Sequence, residues 1–214
     1  MAPLWEKYRP RVWSDVVGQD AAMRTVDLLR QRGLGGRAIW LNGLSGTGKT
    51  TIGLLLADEI ADPLNIEELD AAQLTPKGVT DLERGYACTR LGSKRGVVIL
   101  VNEAHALRTD TVKQLLTVLE RIPGHVLWIF TTTLAGQLDM FGDDIDAHPL
   151  LSRCAQIKLS TEKLALAFAV RAREIAQKEG LDGKPLPEYV KLVERCKLNL
   201  REALQEIENG VMLR

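Results

Sequence analysis

Residues 43–50 read GLSGTGKT, between a short apolar run, RAIWLNG (37–43), and a run with helical spacing, KTTIGLLLADEIA (49–61). Glycines let a backbone curl until successive N–H groups face one point, and a helix opening there adds its own unpaired amides. The pattern G-x-x-x-x-G-K-[ST] in a strand–loop–helix setting therefore predicts a phosphate cradle built from Gly43, Ser45, Gly46, Thr47, Gly48, Lys49, Thr50 and Thr51. Lys49 is expected to bring a point charge to the β- and γ-phosphates of a nucleotide, and the Thr50 hydroxyl to ligate Mg2+. A Gly-rich turn that matches by chance is the competing reading; motif and setting together speak against it.

Residues 97–107, VVILVNEAHAL, are apolar until Asn102 and Glu103. They read as a buried strand, expected beside the P-loop strand, that carries polar chemistry to the sheet edge. A carboxylate at its end normally orders the Mg2+ shell, and the glutamate after it polarises the attacking water. Glu103 takes the second role. Asn102 can accept a hydrogen bond from a metal-bound water but adds no negative charge, and a strand-end cap is its alternative reading. Exchanging Asn102 for aspartate is expected to shift the Mg2+ midpoint by roughly one order of magnitude, about 1.4 kcal/mol. His105 reads as a packing or surface residue.

Outward from these motifs the chain alternates strands and helices. QDAAMRTVDLLRQRG (19–33) spaces Ala22, Val26 and Leu29 for a helix that stops at Gly33, NIEELDA (65–71) reads as a strand, and DTVKQLLTVLERIPG (110–124) is amphipathic and ends at Pro123–Gly124. HVLWIFTTT (125–133) and AQIKL (155–159) complete five strands. Such alternation implies a parallel sheet covered on both faces. After residue 160 only helical patterns remain, the last carrying a capping box at Asn199 and Glu202. The expected division is an α/β nucleotide-binding domain at 1–159 and a helical lid at 160–214.

Composition is that of an ordinary globular chain: 214 residues, 45% hydrophobic and 26% charged, with 28 basic and 28 acidic side chains. The charge balance excludes a global basic field, so contact with nucleic acid would need a local patch. Arg84, Arg90, Lys94 and Arg95 are candidates, equally readable as solvated surface. Cys88, Cys154 and Cys196 are widely spaced without CxxC, which argues against a zinc site or disulfide framework and fits a reducing, cytoplasmic setting. No stretch approaches the ~20 apolar residues of a membrane span, and the N-terminus lacks a signal-peptide core.

LWEKYRPRVWSDVVGQD (4–20), the P-loop, VNEAH (101–105), TTT (131–133), LLSRC (150–154) and NLREAL (199–204) follow one another in the order seen in clamp-loader ATPases. The chain resembles replication factor C small subunits and the bacterial gamma/tau subunit, within the AAA+ class, over nearly its whole length. The resemblance implies an AAA+ P-loop fold with a five-stranded parallel sheet and a small all-helical lid, using ATP and Mg2+. It also implies that Tyr8, Arg9 and Pro10 with Val16 and Val17 line the adenine pocket. Thr133, with Thr132 as fallback, would be the strand-end sensor hydroxyl; Arg153 the finger that serves a neighbouring subunit's nucleotide; and Arg201 the lid arginine that senses the γ-phosphate. A cation at a helix N-terminus is disfavoured by the macrodipole, which itself points to an anionic partner for Arg201.

The chain departs from that pattern in four ways. Asn102 replaces the usual aspartate, the zinc-binding cysteines of bacterial subunits are absent, DMFGDDIDAHP (139–149) lengthens the segment before LLSRC, and the sequence ends after the lid, without the collar through which such subunits form rings. Expected partners are other clamp-loader AAA+ subunits, a sliding clamp and primer-template DNA, with no membrane. The isolated chain is expected to be monomeric or weakly associating. Three readings stand: an ATP-hydrolysing subunit that loads a clamp, with turnover weakened by Asn102; a subunit that holds nucleotide without hydrolysing it; and a small-molecule P-loop kinase, which leaves SRC and the lid arginine unexplained.

Overall fold

The computed structural model describes residues 2–86, 92–133 and 148–213. Cys88, Arg90 and the 139–147 part of the acidic segment lie outside the described residues. Five strands form one parallel sheet: β1 (Arg37–Asn42), β2 (Ile66–Asp70), β3 (Val97–Asn102), β4 (Val126–Thr132) and β5 (Cys154–Lys158), in the order β2-β3-β4-β1-β5. β3 is thus not beside the P-loop strand as expected. β4 lies between them, pairing Ile39 with Ile129 on one side and Ile99 with Trp128 on the other. The correction matters, because it puts a threonine-rich strand end between the phosphate loop and Asn102.

Strand residues alternate between two cores, as a pleat with both faces buried demands. Ala38, Trp40, Ile99, Val101, Trp128 and Phe130 face α4 (Pro76–Gly85) and α5 (Thr109–Leu119). Ile39, Leu41, Val98, Leu100, Leu127 and Ile129 face α2 (Asp20–Gln31) and α3 (Lys49–Ile60). On the first face Phe130 stacks with both Trp40 and Trp128, at ring separations of 5.6 and 5.8 Å. Trp128 is wholly buried, and its indole N–H donates to the Tyr86 hydroxyl at 2.7 Å, so the bulk is buried without orphaning its polar handle. Helix α4 was not anticipated, since its buried face is thin (Val79). Its signal was the cap: Thr75 accepts from the Gly78 N–H, and Pro76 takes the first helical position.

Beyond the short α6 (His148–Ser152) and β5 come α7 (Leu164–Glu179), α8 (Leu186–Arg195) and α9 (Leu200–Glu208). Phe168 and Ile175, Tyr189 and Val193, and Leu204 and Ile207 form their common core. That core also takes Leu4 from α1 (Leu4–Lys7), with Trp5, Tyr8 and Val17 against it. The start of the N-terminal arm therefore packs with the terminal helices, while Trp13 and Val16 further along it pack against the α2–α3 side of the sheet core. Lys7 and Tyr8 strengthen this seam, both donating to Glu179 Oε1, at 2.6 and 2.5 Å. Where β5 meets α7, Gln19, only 1% exposed, donates to the Ser160 carbonyl (3.2 Å) and accepts from its N–H (2.9 Å).

Candidate nucleotide site

One cleft runs between the P-loop, the N-terminal arm and the faces of α7 and α9. On the phosphate side it is lined by Ser45 through Thr51. Gly48, at φ 101°, turns the loop into α3, whose first residue is Lys49. Lys49 is 7% exposed, and its ammonium donates to the carbonyls of Gly43 (3.0 Å) and Leu44 (2.8 Å). Loss of water pushes its pKa below the ordinary 10.5; Glu103 pulls it back up, and Arg201 pushes it further down. The group is a buried cation with one donor left for a ligand, next to another cation. That corner calls for an anion.

Gly46, at φ 74°, lies against the start of α9: a Cβ there would stand 2.0 Å from Asn199 Oδ1. Asn199 caps α9 by accepting from the Glu202 N–H, the forward half of the expected capping box. The N-terminus of α9 thus closes on the P-loop, and Arg201 in its first turn lines the cleft. The guanidinium of Arg201 lies 4.8 Å from the centre of the Trp5 ring, with Arg9 5.7 Å from the same ring. An aromatic face is a favourable seat for a cation that the helix dipole repels.

The other half of the cleft is apolar with a few polar groups. Tyr8, Arg9, Pro10, Val16 and Val17 line it. Trp5, Phe168, Arg171, Ile175, Leu200 and Leu204 line it too, and the sequence reading did not find them. Phe168 and Ile175 were recognisable only as one face of a helix, and nothing in that spacing distinguishes a cleft wall from core.

The strand ends form a hydrogen-bonded group. Asn102 Oδ1 accepts from the hydroxyls of Thr50 and Thr131, each at 3.0 Å, and Asn102 Nδ2 donates to Glu68 Oε1 at 2.6 Å. Thr131 also receives the Glu103 N–H at 3.4 Å. Glu103 sits in the left-handed region at φ 53°, a strained setting for a residue that carries a Cβ, and lines the cleft. Its Oε2 is 3.4 Å from His105 Nδ1, which is also 3.4 Å from the Thr132 hydroxyl, so His105 joins the site's edge more closely than a surface reading allows. In the TTT run, Thr131 hydrogen-bonds Asn102 and Glu103; Thr133 is not among the residues lining the cleft.

Oxygen donors suit Mg2+, which keeps water and takes one or two protein ligands together with phosphate. Thr50 Oγ1 and Asn102 Oδ1, in contact at the head of α3, are such donors, and they fit that ion. Among the described residues no cluster of three His, Cys, Asp or Glu side chains offers a self-sufficient cage.

Arg153 stands apart from the cleft. It donates to the Pro149 carbonyl at 2.8 Å and pairs with Glu120 at 2.5 Å. In the candidate basic patch, Arg84 pairs with Asp81 on its own helix and Lys94 with Asp58, while Arg95 forms an isolated backbone bridge with Ala61. No described helix is long and apolar enough to cross a membrane.

The model of the "ATPase family associated with various cellular activities (AAA)" matches residues 39–155. DNA polymerase III subunit gamma/tau of Mycoplasma pneumoniae is 29% identical, the match covering 96% of this chain and 32% of that protein. DNA polymerase III subunit gamma of Buchnera aphidicola is 27% identical (98% and 62%), and the replication factor C small subunit of Haloarcula marismortui 29% (84% and 54%). The chain thus spans between about a third and two thirds of these relatives. The Thermotoga maritima RuvB Holliday junction branch migration motor superposes with a TM-score of 0.70 at 18% identity, over 94% of this chain and 64% of that one. At that identity the likeness is one of fold.

Proposed function

This chain belongs to the AAA family of ATPases, and on that premise we propose that it binds and hydrolyses Mg2+-ATP as a subunit of a clamp-loader-like assembly in DNA replication. The observation that carries the proposal is the meeting, in one cleft, of Lys49, Glu103, Arg201 and the Thr50–Asn102 contact. In this reading the P-loop amides and Lys49 hold the phosphates, and the arm residues Tyr8, Arg9, Pro10, Val16 and Val17 hold the base. Thr50 and Asn102 would hold Mg2+, which when bound neutralises phosphate charge. The Glu103 carboxylate orients the attacking water and takes its proton. Arg201 meets the γ-phosphate from the lid, Thr133 remains the proposed sensor hydroxyl, and Arg153 acts in trans on a neighbour's nucleotide.

All three relatives carry replication names: DNA polymerase III subunit gamma/tau, DNA polymerase III subunit gamma and replication factor C small subunit. They support other AAA+ subunits, a sliding clamp and primer-template DNA as partners, in a cytoplasmic setting. ATP turnover by wild type and Glu103→Gln, with and without clamp and primed DNA, tests the proposal. Glu103→Gln should bind ATP within about twofold of wild type and turn over about a hundredfold more slowly or worse. Wild-type binding without turnover under every condition would favour the nucleotide-holding reading instead.

A further inference from the structure

Asn102 carries a direction as well as an identity, because an amide presents an acceptor on one side and donors on the other. Thr50 and Thr131 do not set that direction: a hydroxyl can donate or accept. Thr131 leans one way, since it already receives the Glu103 N–H. The one partner without a choice is Glu68, whose ionised carboxylate only accepts, and Asn102 Nδ2 donates to it at 2.6 Å. Glu68 reaches across from the edge strand β2, where Asp70 is in register with Asn102.

We propose that Glu68 is a positioning residue for the metal corner: by holding the Asn102 amide nitrogen, it keeps the Asn102 oxygen turned to Thr50. This rests on the Mg2+-nucleotide reading above. In the observed orientation Thr50 gives its proton to Asn102 and keeps its lone pairs for a cation. In the reverse orientation the amide would donate to Thr50, consume a lone pair and aim protons at the cation. An asparagine can thus serve where an aspartate is usual, provided something outside the site fixes its rotation. The structure also removes the basis for expecting a gain from Asn102→Asp, because the new carboxylate would face Glu68 at hydrogen-bonding distance.

The test is a double-mutant cycle on Glu68→Gln and Asn102→Asp, reading the Mg2+ midpoint for ATP affinity together with metal-free ADP affinity. Glutamine offers donor and acceptor alike, so it keeps the contact and loses the direction. Glu68 is exposed on an edge strand, so the fold should survive. Glu68→Gln alone should raise the Mg2+ midpoint about threefold to fivefold and leave metal-free ADP affinity within about twofold. In the Asn102→Asp background the effect should vanish or reverse, since no amide remains to be oriented and a repulsion is relieved. In solution NMR, the Asn102 side-chain amide protons should move upfield in Glu68→Gln. An unchanged midpoint, or an equal rise in both backgrounds as a plain charge effect requires, would overturn the proposal. Failure of the underlying site reading looks different: Lys49→Ala would then leave metal-free ADP affinity intact.

Discussion

The two halves of the cleft are made in different ways. The phosphate half is eight consecutive residues whose backbone does the work, with Lys49 tied to carbonyls of its own loop. The other half is assembled from the N-terminal arm, α7 and α9, which are brought together by a shared core around Leu4, Phe168 and Leu204 and by the Glu179 contacts of Lys7 and Tyr8. One is local geometry, tolerant of distant change. The other is tertiary packing, and it should respond to anything that loosens the seam.

The largest effect is expected at the local half. Lys49→Ala should weaken nucleotide binding by about a hundredfold, read by titration with a fluorescent ADP analogue. The same residue sets a pH dependence with opposite signs for binding and folding. Its folded pKa lies below the ordinary 10.5 through burial, so charged Lys49 weakens the fold at low and neutral pH, and the penalty lifts as pH rises toward 10.5. Nucleotide affinity should instead fall over that rise, earlier than for an exposed lysine.

A substitution where the halves meet comes next. Gly46→Ala puts a Cβ into Asn199 at a positive φ, so the lid must retreat or the loop must strain. Affinity should drop about tenfold, and Asn199→Ala in that background should restore only the part due to the Asn199 side chain, since the Cβ would still stand 2.8 Å from its Cα.

Within the assembled half, Trp5→Leu removes the ring under Arg201 and Arg9. A loss of about twofold to fivefold in ATP affinity is expected, with a smaller loss for ADP, if Arg201 attends to the terminal phosphate.

The smallest effect concerns the seam. Glu179 is held below its ordinary 4.5 by hydrogen bonds from Lys7 and then Tyr8, and Lys7 is raised above 10.5 by the same contact. A depressed acid stabilises above its unfolded pKa and loses that as pH falls through its folded one; a raised base stabilises below its unfolded pKa and loses that as pH rises through its folded one. Tyr8 is raised above its ordinary 10.0 by the same carboxylate, so the arm should dock best between about 4.5 and 10.0. Glu179→Gln should flatten that window in Trp fluorescence, at little cost in overall stability because the contact is exposed.

The same contrast explains what the sequence could reveal. The sheet was legible because both faces are buried, which leaves runs such as VVILV and VLWIF, and the P-loop because its function is written in contiguous residues. Trp5, Phe168, Arg171 and Ile175 were not, since a cleft wall formed between separate segments has no spacing of its own. Strand order was misjudged because parallel crossovers carry no mark of which strand they skip. The TTT run gives no phase: three identical residues hide which hydroxyl faces Asn102, and the structure shows Thr131 there. Glu68 was invisible as well, 34 residues away and looking like any exposed strand-edge acid.

Gln19 and Ser160 exchange two hydrogen bonds where the sheet hands the chain to α7. In mechanical terms the pair is a pin: two opposed hydrogen bonds fasten residue 160 to residue 19. On either side of it the N-terminal arm is a strap, held to the sheet core through Trp13 and Val16 and to the terminal helices through Leu4, Trp5 and Tyr8.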